Sequence, residues 1–298
     1  MIERLAPAKL NLGLEILRRR ADGYHEIETI FLPLRLADRL EIRLASAGAG
    51  IRLSIGGAEL PVDRGNLVWR AAERVCAELG AAADLEIFLD KRVPIAAGLG
   101  GGSSDAAATL LALETLFERK LGNATRQRIA LELGADVPFF LDPKPSLGRG
   151  VGERLEALPG VPEMYWVLVA FPFPISTAEA YAEATRELTL PRDPSSIGAL
   201  LGPSGLLASP RNDLEASAVR RHPEIRAMRR ALESVGALAT GMTGSGPTVF
   251  GRFVNERAAR QVAVRVEVPA GARTIATSSP GSASAESKEE SGWGVAKW

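Results

Sequence analysis

The chain has 298 residues, of which 46% are hydrophobic and 24% are charged, a balance typical of a globular protein with room for two domains. Its 36 Lys and Arg residues equal its 36 Asp and Glu residues, so charge predicts neither a nucleic-acid nor a membrane partner. The single cysteine, Cys76, excludes an internal disulfide. With no secretory pattern and no apolar stretch of about 20 residues, a cytoplasmic location is expected.

Alternating apolar residues predict strands in the first third of the chain. The runs are LNLGLEIL, HEIETIFLPL, DRLEIRLA and GIRLSIGG, each with the two-residue period of a half-buried strand. Asn66 is predicted to cap a helix, NLVWRAAERVCAELG, whose apolar residues fall on one face. The strand DLEIFLDKRVP then leads to a glycine loop, a second helix, SSDAAATLLALETLF, and a third, TRQRIALELG.

The strand and helix pattern restarts after Pro162. YWVLVAFP predicts a buried strand, TAEAYAEATREL a helix, and residues 191–211, rich in Pro, Ser and Gly, a loop. The helix PEIRAMRRALESVGA, the glycine turn TGMTGSG, the strand PTVFGRF and the helix NERAARQVAVRV follow. We therefore predict two domains, residues 1–160 and 161–277, and a polar tail at residues 278–298 that is expected to be disordered.

The glycine loop lies in PIAAGLGGGSSDAAA, residues 94–108. A Walker A loop needs a lysine that this segment lacks, and the dinucleotide fingerprint fails because Ser103 stands at its third glycine. A plain strand-to-helix turn is an alternative, but turns rarely need four glycines. Backbone N–H groups at a helix N-terminus form an anion cradle, and the hydroxyls of Ser103 and Ser104 suit phosphate or Mg²⁺. The loop is predicted to hold phosphate.

This loop resembles the second motif of the GHMP kinases, the galactose, homoserine, mevalonate and phosphomevalonate kinase superfamily. PAKLNLGLEI, residues 7–16, is similar to the first motif of that superfamily, and GMTGSGPTVFG, residues 241–251, to its glycine-rich third motif. The resemblance implies a two-domain α+β fold. An N-terminal α/β domain with a left-handed βαβ unit and a C-terminal ferredoxin-like domain would flank the site in a cleft.

The resemblance also implies ATP as the phosphoryl donor, together with Mg²⁺. The metal ligands are not assigned, because no carboxylate here matches the one that ligates magnesium in some relatives, and the choice between Ser103 and Ser104 stays open. The residues that it implies for ATP binding are Asn66, Pro94, Ala97, Gly98, Leu99, Gly100, Gly101, Gly102, Ser103 and Ser104. For Asn66, helix capping alone is the competing interpretation.

Lys9 and Asp136 are the candidates for the chemical step. From pattern alone, Lys9 in AKLNLGL is typical of the solvent face of an edge strand, and Asp136 in LGADVPFFL of a turn before a proline. A partly buried Asp136 would need a partner, and Lys9 is a candidate. The resemblance implies that Lys9 lies near the transferring phosphoryl group and that Asp136 takes the proton from the attacking hydroxyl.

AKLNLGL, DGYHEIET and GADVPFF together resemble one branch of the superfamily. That branch phosphorylates the 2-hydroxyl of a cytidine-diphosphate-linked polyol in isoprenoid precursor biosynthesis. A lone histidine is usually structural, but the resemblance implies that Tyr24 and His25 read a cytosine ring, and that Asn11, Thr177 and Tyr181 bind the same substrate. Another GHMP kinase, such as a mevalonate-type enzyme, and a non-catalytic nucleotide-binding module are the alternatives.

Overall fold

The computed structural model describes residues 1–187 and 210–282. Its N-terminal part contains strands β1 (Ile2–Arg19), β2 (His25–Leu44), β3 (Ile51–Gly56), β4 (Leu85–Asp90), β5 (Ser146–Gly150) and β6 (Arg154–Ala157). The helices of this part are α1 (Leu67–Leu79), α2 (Gly101–Leu116), α3 (Asn123–Leu133) and a 3-10 helix at Val137–Leu141. The C-terminal part contains β7 (Met164–Ala170), β8 (Ala239–Met242), β9 (Val249–Phe253) and β10 (Arg273–Ser279), with α4 (Thr177–Glu187), α5 (Glu215–Arg221), α6 (Glu224–Ser234) and α7 (Glu256–Arg265).

Each part is built on one sheet. In the N-terminal sheet the order is β3-β4-β2-β5-β6, with β1 also paired to β2. Among the strand pairs of this sheet within the described residues, only β3 and β4 are parallel, and α1 connects them. The C-terminal sheet has the order β10-β7-β9-β8 and is antiparallel. Helices α4, α5 and α6 lie between β7 and β8, and α7 lies between β9 and β10. With the three described helices of the first connection taken together, the order is the β-α-β-β-α-β of a ferredoxin-like domain, as predicted.

The two sheets pack face to face, and this packing fixes which β1 residues face the helices. Ala8, Leu10 and Leu12 join a core cluster with Trp166 and Phe250 of the C-terminal sheet. Because side chains alternate along a strand, the residues between them point to the opposite face, toward α2. The remaining apolar residues form one core under α1, α2 and α3 and another under the C-terminal helices.

The structure corrects several sequence predictions. HEIETIFLPL and DRLEIRLA belong to one strand, β2, because it pairs along its length with β1, β4 and β5. The strands β5, β6, β8 and β10 and the helix α5 were not predicted, and residues 240–242 of the predicted glycine turn TGMTGSG lie in β8. Of the predicted 191–211 loop, only its last two residues are described. No helix within residues 1–187 and 210–282 is both long and apolar enough to cross a bilayer.

The predicted tail boundary at residue 278 is also wrong. Strand β10 continues through Ser279, which is fully buried and accepts a hydrogen bond from Trp166 Nε1 at 3.1 Å. Ser282 then donates its backbone N–H to Val161 O at 2.9 Å. The C-terminal domain therefore extends at least to Ser282, and the rest of the predicted tail, residues 283–298, lies outside the described residues.

Candidate active site

The first motif (residues 7–16), the glycine loop (within residues 94–108) and the third motif (residues 241–251) contact one another, largely through their backbones. Lys9 N–H on β1 donates to Leu99 O in the loop at 3.0 Å. Asn11 N–H donates to Thr243 Oγ1 at 2.9 Å. A Cβ on Gly98 would lie 2.4 Å from Thr243 O. The glycine loop therefore packs between β1 on one side and the glycine turn after β8 on the other.

Positive backbone angles explain why the loop needs glycine. Gly98 has φ +75° and Gly100 has φ +71°, a region that side chains disfavour. A Cβ on Gly100 would also lie 2.8 Å from the Phe140 ring and 3.0 Å from Lys9 Cγ. Since α2 begins at Gly101, the run of glycines continues into the first turn of the helix. Its N-terminus therefore lies at the motif junction, and the first N–H groups of a helix have no partner within that helix.

Lys9 and Asp136 face one another, with 3.4 Å between Nζ and Oδ2. The Lys9 side chain is 5% exposed, so its interpretation as a solvent-facing residue is wrong. Its ammonium donates to Asn11 Oδ1 and lies 5.5 Å from the centre of the Phe31 ring. Asn11 Nδ2 in turn donates to Thr29 Oγ1 at 2.9 Å. The lysine is thus held in one orientation by its neighbours on β1 and β2.

Asp136 immediately precedes the 3-10 helix, where a capping role would be ordinary. Its side chain makes no capping hydrogen bond. The carboxylate is 33% exposed and lines the large cleft. The turn interpretation therefore does not account for its side chain, which is available to a group in the cleft.

The cleft has a volume of about 1160 Å³ and is lined by both domains. The lining contains the following predicted site residues: Lys9, Asn11, Tyr24, His25, Gly98, Gly100, Ser103, Asp136, Thr177 and Tyr181. It does not include Asn66, Pro94, Ala97, Leu99, Gly101, Gly102 or Ser104. Ala97, Leu99 and Ser104 are buried, and within the described chain Ser104 Oγ has no hydrogen-bond partner.

Asn66 is a helix cap in the structure. Its Oδ1 accepts from Val68 N–H at 2.9 Å, and its Nδ2 donates to Pro61 O at 2.9 Å. Both the oxygen and the nitrogen of the Asn66 amide are therefore hydrogen-bonded to nearby backbone groups. The structure does not bring this side chain to the cleft, and its proposed contact with ATP stays a prediction.

The other end of the cleft contains an aromatic stack. His25 at the start of β2 stacks on Tyr181 of α4, with 5.1 Å between ring centres and 21° between planes. Tyr24 lines the same region with 63% of its surface exposed. Thr177 Oγ1 lies 2.9 Å from Ser245 Oγ, which joins α4 to the third motif. This end is therefore built by side chains from both domains.

A threonine fixes the His25 tautomer. Thr185 Oγ1 donates to Tyr181 O at 2.7 Å and lies 2.6 Å from His25 Nε2. Because Thr185 donates its hydroxyl hydrogen to the Tyr181 carbonyl, the hydrogen in its contact with His25 comes from the imidazole ring. We therefore assign the N–H of the neutral ring to Nε2, which leaves Nδ1 as an acceptor. Burial and the nearby Arg19 lower the pKa of His25, which favours the neutral ring. Burial likewise raises the pKa of Tyr181.

Sequence reasoning missed Thr185 and Thr243, both of which hold site residues in place. Thr185 lies four residues after Tyr181 and so on the same helix face, a spacing that could have indicated it. Thr243 is inside the quoted TGMTGSG turn, but its contact with Asn11 depends on how the two domains pack. The sequence carries no signal for that contact.

A buried ionic cluster beneath the loop was also missed. Lys91 Nζ donates to Asp38 Oδ2 at 2.5 Å and to Asp105 Oδ2 at 2.7 Å, and all three side chains are at most 4% exposed. Burial, together with the Asp38 carboxylate, raises the pKa of Asp105 above its usual range. Despite the opposing effect of burial, the two carboxylates raise the pKa of Lys91.

Comparison with known proteins places the chain in a family. Residues 66–142 match the family model described as GHMP kinases N terminal domain, and residues 182–268 match the one described as GHMP kinases C terminal. Homoserine kinase from Cytophaga hutchinsonii, 22% identical with a TM-score of 0.69 over 93% of this chain and 94% of that one, shares the fold.

Curated relatives identify the branch. The 4-diphosphocytidyl-2-C-methyl-D-erythritol kinases of Pelotomaculum thermopropionicum and Syntrophus aciditrophicus are 44% and 41% identical, over 89% and 88% of this chain and 93% of each relative. A crystal structure of 4-(cytidine 5'-diphospho)-2C-methyl-D-erythritol kinase is 38% identical, with a TM-score of 0.80 over 94% of this chain and 100% of that one. The chain therefore belongs to the 4-diphosphocytidyl-2-C-methyl-D-erythritol kinase family of the GHMP kinases.

Proposed function

We propose that this protein transfers the γ-phosphoryl group of ATP to the 2-hydroxyl of 4-diphosphocytidyl-2-C-methyl-D-erythritol, a step toward isoprenoid precursors. The observation that carries the proposal is the Lys9–Asp136 pair at 3.4 Å, in a cleft that also contains the loop at the start of α2 and the His25–Tyr181 stack. One cleft thus combines a phosphate cradle, a carboxylate beside a cation, and an aromatic surface for a planar base. The curated relatives support the same acceptor.

In the proposed reaction, Asp136 orients the acceptor hydroxyl and accepts its proton as the oxygen bonds to the γ-phosphorus. The bond from that phosphorus to the bridging oxygen of ATP breaks, and ADP leaves. Phosphoryl transfer depends mainly on positioning and charge neutralisation. Lys9, held by Asn11, offsets negative charge that develops on the phosphoryl oxygens, and the N–H groups at the α2 N-terminus bind the phosphates.

The residues at the start of α2 fit a magnesium ion that arrives with the nucleotide. Within the described residues, no group of three or more His, Cys, Asp or Glu side chains forms a metal cage, and Mg²⁺ commonly uses one or two protein ligands plus phosphate oxygens. We propose Ser103 as the contact, since it lines the cleft and Ser104 is buried. The ion would neutralise phosphate charge.

The aromatic end is proposed to select cytosine. A ring can stack on an aromatic face whatever its identity, so selectivity requires hydrogen bonds to its edge. His25 Nδ1, left as an acceptor by the Thr185 contact, suits the 4-amino group of cytosine. Uracil presents a carbonyl at that position. An unpaired buried polar group costs about 1–3 kcal/mol, which would disfavour the uridine analogue.

The test is an ADP-release assay of the full chain with ATP and a panel of alcohols. The panel contains the cytidine-diphosphate-linked polyol, its uridine analogue, mevalonate and homoserine. We expect turnover with the cytidine compound above all others, and a narrower cytidine-over-uridine preference in His25→Ala. Turnover of mevalonate instead would assign a different GHMP kinase, and ATP binding without any ADP release would assign a non-catalytic module.

A further inference from the structure

The buried cluster of Lys91, Asp38 and Asp105 connects three elements around the phosphate loop. Asp38 belongs to β2, Lys91 directly follows β4, and Asp105 lies in the first turns of α2. The ammonium bonds to both carboxylates at 2.5 and 2.7 Å. Charged groups are rarely buried this completely unless they are paired, and here each aspartate is paired with Lys91.

Both ends of the loop are tied to this cluster. At the entrance, Asp38 Oδ1 accepts the backbone N–H groups of Arg92 at 2.6 Å and Val93 at 2.8 Å. At the exit, Lys91 bonds to Asp105 in α2. A Cβ on Gly101 would lie only 3.3 Å from Lys91 Nζ, so the helix N-terminus packs directly against the ammonium.

We infer that Lys91, Asp38 and Asp105 are positioning residues that hold the loop backbone in its phosphate-binding conformation. A segment with four glycines in five positions has large conformational freedom when it is not constrained. Asp38 holds the start of the loop, Asp105 belongs to the helix that follows it, and Lys91 joins the two carboxylates. The loop therefore has less conformational freedom before the nucleotide arrives, and less conformational entropy is lost on binding. This inference rests on the proposed use of ATP.

The chain offers a matched control on the same helix. Glu114, near the other end of α2, is a buried carboxylate that accepts from Arg126 at 3.0 Å and from Leu121 N–H at 2.6 Å. Asp105→Ala and Glu114→Ala each remove one buried, paired carboxylate, and both are expected to lower the melting temperature. Only the Asp105 variant should affect the loop.

Steady-state kinetics of the full chain separate the two variants. We expect Asp105→Ala to raise KM for ATP about fivefold or more, with KM for the acceptor changed less than about twofold. Glu114→Ala should leave both constants near those of the unsubstituted protein. Asp105→Asn, which keeps an oxygen for Lys91, should restore most of the ATP affinity. Equal changes of KM in the two alanine variants would overturn the inference.

A second variant and an activity-independent measurement keep the inference testable. If Asp105→Ala does not fold, Asp38→Asn retains an acceptor for the two loop amides and loses the contact with Lys91, so a rise in KM for ATP is again expected. Hydrogen exchange without nucleotide should be faster at residues 92–103 in these variants than in Glu114→Ala. Unchanged exchange there overturns the inference, whereas an unsubstituted protein without kinase activity contradicts the proposed function instead.

Discussion

The two ends of the cleft are built in different ways. At the end with Lys9 and Asp136, backbone contacts between β1, the glycine loop and the third motif set the geometry, and the lysine side chain is 5% exposed. At the end with His25 and Tyr181, side chains of two domains meet, and neighbouring Tyr24 is largely exposed. The more enclosed end suits the chemical step, and the open end with His25 and Tyr181 suits recognition of the acceptor. Substitution of Asp136 should therefore change kcat, and substitution of Tyr181 should change KM for the acceptor.

The largest effect is expected for Asp136→Asn. The amide keeps the shape of the side chain but cannot accept a proton, so kcat should fall by about 10²–10⁴ while KM for ATP changes little. Asp142→Asn is the matched control, because Asp142 lies at the other end of the same 3-10 helix with its side chain 76% exposed. If Asp136→Asn kept more than about half of the original kcat, Asp136 would not be the base.

At the open end, Tyr181→Ala should raise KM for the acceptor and leave KM for ATP nearly unchanged. Loss of one stacking contact is worth about 1–3 kcal/mol. Tyr165→Ala is the control, since Tyr165 lies on β7 outside the cleft lining and should lower only the melting temperature. Parallel increases in both KM values for Tyr181→Ala, together with a lower melting temperature, would indicate that Tyr181 is a packing residue.

The phosphate loop is best tested at Gly102. A Cβ at Gly101 would lie 3.1 Å from Val93 Cγ1 and 3.3 Å from Lys91 Nζ, whereas one at Gly102 would meet only Leu67 Cδ1, at 3.6 Å. Gly102→Val should therefore fold. If the N–H groups in the first turn of α2 bind the phosphates, the branched side chain beside them should weaken ATP binding about tenfold, or 1.4 kcal/mol, although Gly102 itself does not line the cleft. Gly122→Val, at the N-cap of α3, should not change ATP affinity. Titration calorimetry with both variants would reveal whether the loop is an ordinary turn.

The smallest effect is expected from pH. Burial and Arg19 lower the pKa of His25. At about pH 6.5, where the histidine of an unfolded chain takes up a proton, the His25 ring of the folded protein therefore stays neutral. Acceptor KM should stay flat from about pH 8 to about pH 6.5 and rise a few-fold only below that. The stabilising contribution of the neutral ring is lost over the same acidic range.

Arg19→Gln sharpens this pH test. Removing the neighbouring positive charge should allow His25 to take up a proton at higher pH, so the rise in acceptor KM should begin earlier in the variant. In His25→Ala the inflection should disappear. An unchanged pH profile in His25→Ala would show that another group causes it, and that the neutral imidazole does not read the base.

Much of the fold could be predicted from local patterns. The alternation in LNLGLEIL, the cap at Asn66 and the helices α1 to α3 follow from backbone preferences within a few residues. The unpredicted strand β10 has the sequence RTIATSS, which is polar because hydrogen bonds such as that of Ser279 with Trp166 replace apolar contacts. A pattern of apolar residues cannot reveal such a strand.

The sequence by itself determined the residue types of the site: the glycines of the loop, Lys9, Asp136 and the Tyr24–His25 pair, whose order along the chain resembles one family. Only the tertiary structure decided their surroundings. It buried Lys9 against Asn11, Phe31 and the glycine loop, used the Asn66 amide in a helix cap, and placed Lys91 between Asp38 and Asp105. Contacts between residues so distant in the chain depend on how whole elements pack, and no local pattern encodes that packing.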